Sequence, residues 1–298
     1  MTTSKSPLAI ALVSYASARA TLPLYYSKFS RYTFTLPQLM ICLVLKEFFK
    51  TDYRGISAIL SDSSDLQRVL ELRTIPHFTT LQKAAHKLLS TSRFKKILRG
   101  ILTLARKQKL LSPTIAIAAL DGTGFESHHI SRYFVHRTHV TGAQTTHYTR
   151  FPKVGIITSL THLILSAVPE RGPRFDSTHF VPALQRLIAV VKIKTLLADA
   201  GYDSEPNHRL ARDSYHIRSI IPAKKGRPTQ KLPTGKYRRL MTTHFPKKLY
   251  GQRWQVETVN SMLKRNLESF LRARSYWSQC REILLRVLTH NIMIVRVG

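Results

Sequence analysis

The chain has 298 residues, 43% of them hydrophobic, and sets 47 Lys plus Arg against 16 Asp plus Glu for a formal net charge of +31. That apolar share can bury a core, which excludes a disordered polycation, and the length suits one large domain or two ordinary ones. The charge favours a polyanionic partner, because neutralising phosphates releases condensed counterions. A plain basic protein of the ribosomal kind is the bland alternative.

At the N-terminus Lys5 precedes a short apolar run, 7–13, followed by polar residues, so no signal peptide is read there. The run 39–45 stops at Lys46 and Glu47, far short of a bilayer span. A soluble, cytoplasmic and nucleoid-associated protein is expected. Residues 36–49 predict a helix with Pro37 near its first turn. Short helices follow over 52–60 and 65–72. Thr79 or Thr80 is placed to cap an amphipathic helix over 81–89, and 92–110 is a further basic helix. Short helices with a basic second member resemble a helix-turn-helix, so 1–110 is taken as a helical, DNA-binding domain.

The pattern changes at Pro113. Residues 115–120 predict a buried strand, and 154–159 with 163–168 a hairpin joined near Thr161 and His162. A helix over 179–191, a strand over 195–199, a helix over 205–213 and a strand over 217–221 follow. Residues 224–248, rich in Pro, Gly and basic side chains, read as a loop or insertion, and the tail is helical from Arg253. Three antiparallel strands followed by alternating helices and parallel strands is the order of an RNase H-like α/β core, a mixed sheet with flanking helices, over 111–298. Charge is lopsided. Residues 72–120 hold ten Lys or Arg and no acid, and 214–298 hold eighteen with only Glu257, Glu268 and Glu282. Such stretches look like nucleic-acid tracks around a middle where acids gather.

Three acids carry the candidate chemistry. Asp121 ends the apolar run 115–120, and Asp199 ends 195–198. Glu257 sits on a predicted helix with Arg253 four residues before it and Lys264 seven after it, all on one face. Hard oxygen ligands that converge suit magnesium, and paired magnesium ions suit phosphodiester chemistry. Singly, each acid has a plainer reading: a turn or cap residue after a strand, or an ordinary i,i+4 ion pair. Gly122 and Gly124 allow close backbone approach beside Asp121. Asp203 competes with Asp199 as the second acid. Asp199 is preferred because it directly ends a buried strand, and Asp203 is assigned to capping the next helix.

Other residues weigh less. His128, His129, His136, His139 and His147 cluster, but without paired cysteines or tight spacing zinc is not expected. Arg132, Tyr133 and Arg137 in the same segment are candidates for touching DNA. Trp254 either stacks on a base or joins the core. Asp176 is read as structural at a strand-to-helix turn. Cys42 and Cys280 make no disulfide framework and are expected as reduced core thiols.

Tyr250, Arg253, Glu257 and Lys264 fit the pattern Tyr-x2-Arg-x3-Glu-x6-Lys without a gap. With Asp121-Gly122-Thr123-Gly124-Phe125 and 197–203, and with 75–80 and 172–177, they make the chain resemble DDE-type insertion-sequence transposases over about 36–295. The resemblance implies an RNase H-like core. It implies two magnesium or manganese ions held by Asp121, as the bridging ligand, Asp199 and Glu257. Tyr250, Arg253 and Lys264 would then hold DNA phosphates. The N-terminal helices would bind terminal inverted repeats, and a homodimer would bring together double-stranded element ends and target. A catalytically inactive DNA-binding repressor and a metal-dependent nuclease that cuts without joining are the alternatives.

Overall fold

The computed structural model describes residues 3–127, 151–172, 176–224 and 232–295. Six helices come first: α1 (Pro7–Thr21), α2 (Leu36–Phe48), α3 (Tyr53–Ser61), α4 (Ser64–Val69), α5 (Phe78–Leu88) and α6 (Thr91–Lys107). Thr35 and Gln38 form a reciprocal capping box that starts α2, and Asp52 accepts from Arg54 N and Gly55 N to start α3. The continuous apolar run of α2 follows from its position: it is the central helix, buried from Leu36 to Leu45 on nearly every side. The expected Thr cap for α5 is not used. This helix begins earlier, at Phe78, whose ring lies 4.1 Å from the His77 ring and 4.6 Å from the Arg54 guanidinium. Thr79 and Thr80 therefore sit inside its first turn.

The main sheet contains β1 (Thr114–Gly124), β3 (Pro152–Ser159), β4 (Ile164–Arg171), β5 (Lys192–Ala198) and β6 (Arg218–Ile220), in the order β4-β3-β1-β5-β6. β3 pairs antiparallel with β1 and β4, whereas β1, β5 and β6 run parallel. This mixed sheet matches the expected element order. β1 runs further than its apolar stretch suggested, because β3 stays paired with it as far as Gly124 opposite Lys153. Asp121 is thus a residue within a strand, opposite Ile156, and not a turn residue. A short strand β2 (Glu126–Ser127) pairs parallel with β7 (Phe270–Leu271).

Helix α7 (Phe180–Ile188) crosses from β4 to β5, and α8 (Glu205–Arg209) with a following π-helical turn crosses from β5 to β6. The stretch 224–248, expected as a loop or insertion, contains α9 (Lys236–Thr243) and the start of α10 (Lys247–Tyr250). Only Met241 of α9 is buried, so the stretch has no apolar stripe to betray it. Polar contacts hold α9 instead: Tyr237 N and Arg238 N donate to the Glu205 carboxylate at 3.2 and 3.1 Å.

Two helices end the chain, α11 (Trp254–Leu267) and α12 (Tyr276–Ile294). α12 is buried without a break from Glu282 to Ile294 and packs on β4, α2 and α6. One hydrophobic core accordingly runs from Ile10 to Val295. Arg286 of α12 is 1% exposed and reaches Glu47 of α2 at 3.3 Å and Glu282 at 2.7 Å, while donating to the Glu268 and Phe270 carbonyls. Lys46 joins this buried ionic group through Glu47 at 2.6 Å. Cys42 is buried in α2, and burial pushes its thiol up to about 12, so it stays protonated; Cys280 is half-buried. No helix among the described residues is long and apolar enough to cross a membrane.

Candidate active site

The parallel pairing of β1 with β5 puts Leu120 opposite Ala198. One residue further on, Asp121 and Asp199 come abreast, the first still in its strand and the second leaving β5. Asp199 caps the short turn Ala200–Tyr202, accepting from Ala200 N at 2.7 Å. Helix α11 lies against β1 and β3 and carries Glu257 in its first turn, where the helix dipole favours a carboxylate. Its start is fastened by Gln255, whose Oε1 lies 2.7 Å from His162 Nε2 in the β3–β4 turn. Asn260, one turn beyond Glu257, donates to Asp121 Oδ2 at 3.0 Å.

Arg253 joins these pieces. Its Nη1 is 3.9 Å from Asp121 Oδ1, its Nη2 pairs with Glu257 Oε1, and its guanidinium lies 5.9 Å from the Tyr250 ring centre. Burial pulls the Arg253 pKa down, but Tyr250, Glu257, Asp121 and Asp199 together more than offset this and raise it. One guanidinium therefore sits in the field of all three acids. Burial first, with help from Asp199 and Glu257, raises the Tyr250 phenol against the opposing Arg253 charge, so this hydroxyl is a standing donor.

The structure thus brings Asp121 and Asp199 together directly and ties Glu257 to them through Arg253. The Glu257 side chain remains 54% exposed. Lys264 lies two turns along α11, half-buried, with no ion pair among the described residues. Among the described residues no three of His, Cys, Asp and Glu form a closed metal-binding cluster. The cation between the acids is Arg253 itself.

Asp203 does something other than cap a helix. Its side chain is fully buried, pairs with Arg238 at 2.8 Å and accepts from Lys224 N at 2.8 Å. Ser204 caps α8, accepting from Asn207 N at 3.2 Å. The correction has a simple cause: a buried carboxylate needs a cation, and the basic stretch after β6 supplies one. Trp254 is 54% exposed, which removes the core alternative. Asp176 opens a short turn, Asp176–His179, leading into α7. The five histidines from 128 to 147, with Arg132, Tyr133 and Arg137, lie outside the described residues.

Two features escaped the sequence reading. Asn260 is one, although its place three residues after Glu257 puts it on the same helix face. Its Oδ1 is buried and has no hydrogen-bond partner among the described residues. The other is a buried relay behind Asp199: His179 Nδ1 lies 2.7 Å from Glu170 Oε1, and His179 Nε2 meets the Tyr202 hydroxyl. Nothing in the spacing of residues 170, 179 and 202 announces it.

The family described as a transposase DDE domain matches residues 112–292, more than half of the chain. The chain belongs to the DDE transposase family. The match spans β1 through nearly all of α12, so every candidate site residue, from Asp121 to Lys264, falls inside it. No curated protein matches the chain significantly.

Proposed function

We propose that this DDE transposase binds the terminal inverted repeats of a mobile element, cleaves phosphodiester bonds at its ends and joins the freed 3′-hydroxyls to target DNA. The observation that carries the reading is the side-by-side placement of Asp121, within β1, and Asp199, just past the end of its parallel neighbour β5, faced by the Arg253, Glu257 and Asn260 side of α11. The donor set fits hard divalent ions. It is all oxygen, it already gathers around a cation, and Asn260 Oδ1 beside Asp121 is a buried acceptor without a partner among the described residues. Asp121, Asp199 and Glu257 would hold two magnesium or manganese ions. When bound, these activate the attacking oxygen and steady the leaving one.

The remaining work belongs to the chain's own side chains. Arg253 is a planar fork able to exchange its acids for two phosphate oxygens, and the protonated Tyr250 hydroxyl donates beside it. Lys264 offers a point charge further along the same helix. Asn260 fixes the rotamer of Asp121 through its amide. The helical N-terminal part and the acid-free stretch 72–120 are proposed to grip the element end, a homodimer to hold two ends, and the protein to reside with the nucleoid.

The test uses labelled duplex made from the DNA flanking the coding sequence. With magnesium, wild type should nick the element end and join it to a plasmid, while Glu257→Gln should bind the same duplex and do neither. Cleavage without joined product would leave only a nuclease, and undiminished cleavage by Glu257→Gln would remove the acid from the reaction.

A further inference from the structure

Residues 23–35 connect α1 to α2 and alternate rings with cations: Tyr25, Tyr26, Lys28, Phe29, Arg31, Tyr32 and Phe34. The chain has no acid before Glu47. Opposite this connection stand Lys83 and Lys87 of α5 and Arg93 of α6, from the stretch 72–120 that is also free of acid. Between the two walls lies a cavity of about 430 Å³, lined among others by Tyr25, Tyr26, Arg31, Phe34, Lys83 and Lys87. That is within the range of sites that take a small organic group.

Rings and cations are placed for separate duties. Lys87 Nζ lies 4.7 Å and the Arg93 guanidinium 4.6 Å from the centre of the Tyr26 ring, so this ring holds two cations in position. Phe29 and Tyr32 are left 85% and 66% exposed. Tyr32 is nonetheless oriented, edge-on to Tyr25 at 4.7 Å and donating from its hydroxyl to Lys28 O at 3.1 Å. A single exposed ring means little. Two exposed rings, Phe29 with the mobile end of Lys28 5.1 Å from its centre, beside a cavity whose wall holds Arg31, Lys83 and Lys87 are a different matter. Duplex phosphates would use the cations and leave the rings idle. An apolar protein surface would use the rings and strand the cations without counter-charge. Unpaired nucleotides use both, since every base has a face to stack and every link carries a phosphate.

We propose that the 23–35 connection and the facing surface of α5 and α6 bind unpaired DNA, with Phe29 and Tyr32 stacking on bases and Arg31, Lys83 and Lys87 on phosphates. The site lies apart from the carboxylates and does not depend on their being catalytic. The test measures anisotropy of a labelled oligothymidylate of about 15 nucleotides, long enough for such a groove, against a duplex, using the full chain. Phe29→Ala and Tyr32→Ala should each weaken oligomer binding about five- to hundredfold and change duplex affinity by less than about twofold. Tyr32→Phe keeps the ring and should bind like wild type. Oligomer binding by the two alanine variants equal to wild type would overturn the proposal, as would equal losses for oligomer and duplex, which would mean a general polyelectrolyte surface. A wild-type dimer that Phe29→Ala dissolves, with oligomer affinity unchanged, would assign the face to a second copy of the chain instead.

Discussion

Arg253→Ala separates the roles of one guanidinium, and its expected size follows from the contacts. The pair with Glu257 is an i,i+4 contact to an acid that is 54% exposed, which is worth about 0.3–0.5 kcal/mol. The contact with Asp121 spans 3.9 Å between side chains 19% and 21% exposed. Its gross Coulomb attraction is about 4 kcal/mol at an effective dielectric of about 20. Desolvation of the guanidinium offsets most of that, leaving about 1 kcal/mol. A total loss of about 1.5 kcal/mol should lower the thermal midpoint by about 2–3 °C in a chain of this size. Three acids then face one another without a cation, so millimolar magnesium should raise the variant's midpoint more than the wild type's. Strand cleavage should fall at least about a hundredfold, the scale of losing one charge-stabilising donor. Differential scanning fluorimetry with and without magnesium, beside a gel assay of nicking, reads all three. Cleavage within about threefold of wild type would refute the phosphate role. Loss of the folded state without magnesium rescue would show that Arg253 is a structural partner only.

The assignment of the second acid is tested by Asp199→Asn and Asp203→Asn. The first should abolish cleavage and leave the midpoint nearly in place; the second should cost about 3 kcal/mol, by stranding Arg238 against a neutral partner, in chemical denaturation. Gly155→Ala would press a methyl group into the His179 ring, which already fills that space; a loss of about 1–3 kcal/mol is expected from urea melts, and wild-type stability would deny the close approach. Burial holds both His208, with Arg212 adding to it, and His290 down to about 4. Both are neutral in the fold, so stability is fully present above the unfolded value of about 6.5 and is lost as pH falls from there towards 4. A urea midpoint that rises over that interval would contradict the sign.

The sheet was legible because its strands are apolar runs broken by turns, and because antiparallel strands followed by parallel ones leave few topologies. Asp121, Asp199 and the Arg253–Glu257 stripe could be singled out for a local reason: an acid closing an apolar run and a helix face are visible in short windows. Asp203 was misjudged because its partner Arg238 is 35 residues away, in a stretch whose composition read as a loop or insertion. Helix α9 is held there by Glu205 and Asp203, not by an apolar stripe, so periodicity had nothing to detect. Asn260 was overlooked because an amide on a helix is ordinary until a carboxylate from a distant strand is set beside it. The rings of 23–35 were in plain view, but only the fold places Lys83, Lys87 and Arg93 across from them.

Arg286 has a mechanical consequence. Removing its charge would leave Lys46 alone to neutralise both Glu47 and Glu282 in a dry space, so α2 and α12 are clamped and cannot slide apart cheaply. Because α12 also lies on β4, the first six helices and the five-stranded sheet share one chassis. On the proposed function, DNA held by those helices would be carried at a fixed span from Asp121 and Asp199. The interval between grip and cut would then be gauged by protein, like the gap of a calliper, and lengthening the connection between α6 and β1 would not alter it while Arg286 holds.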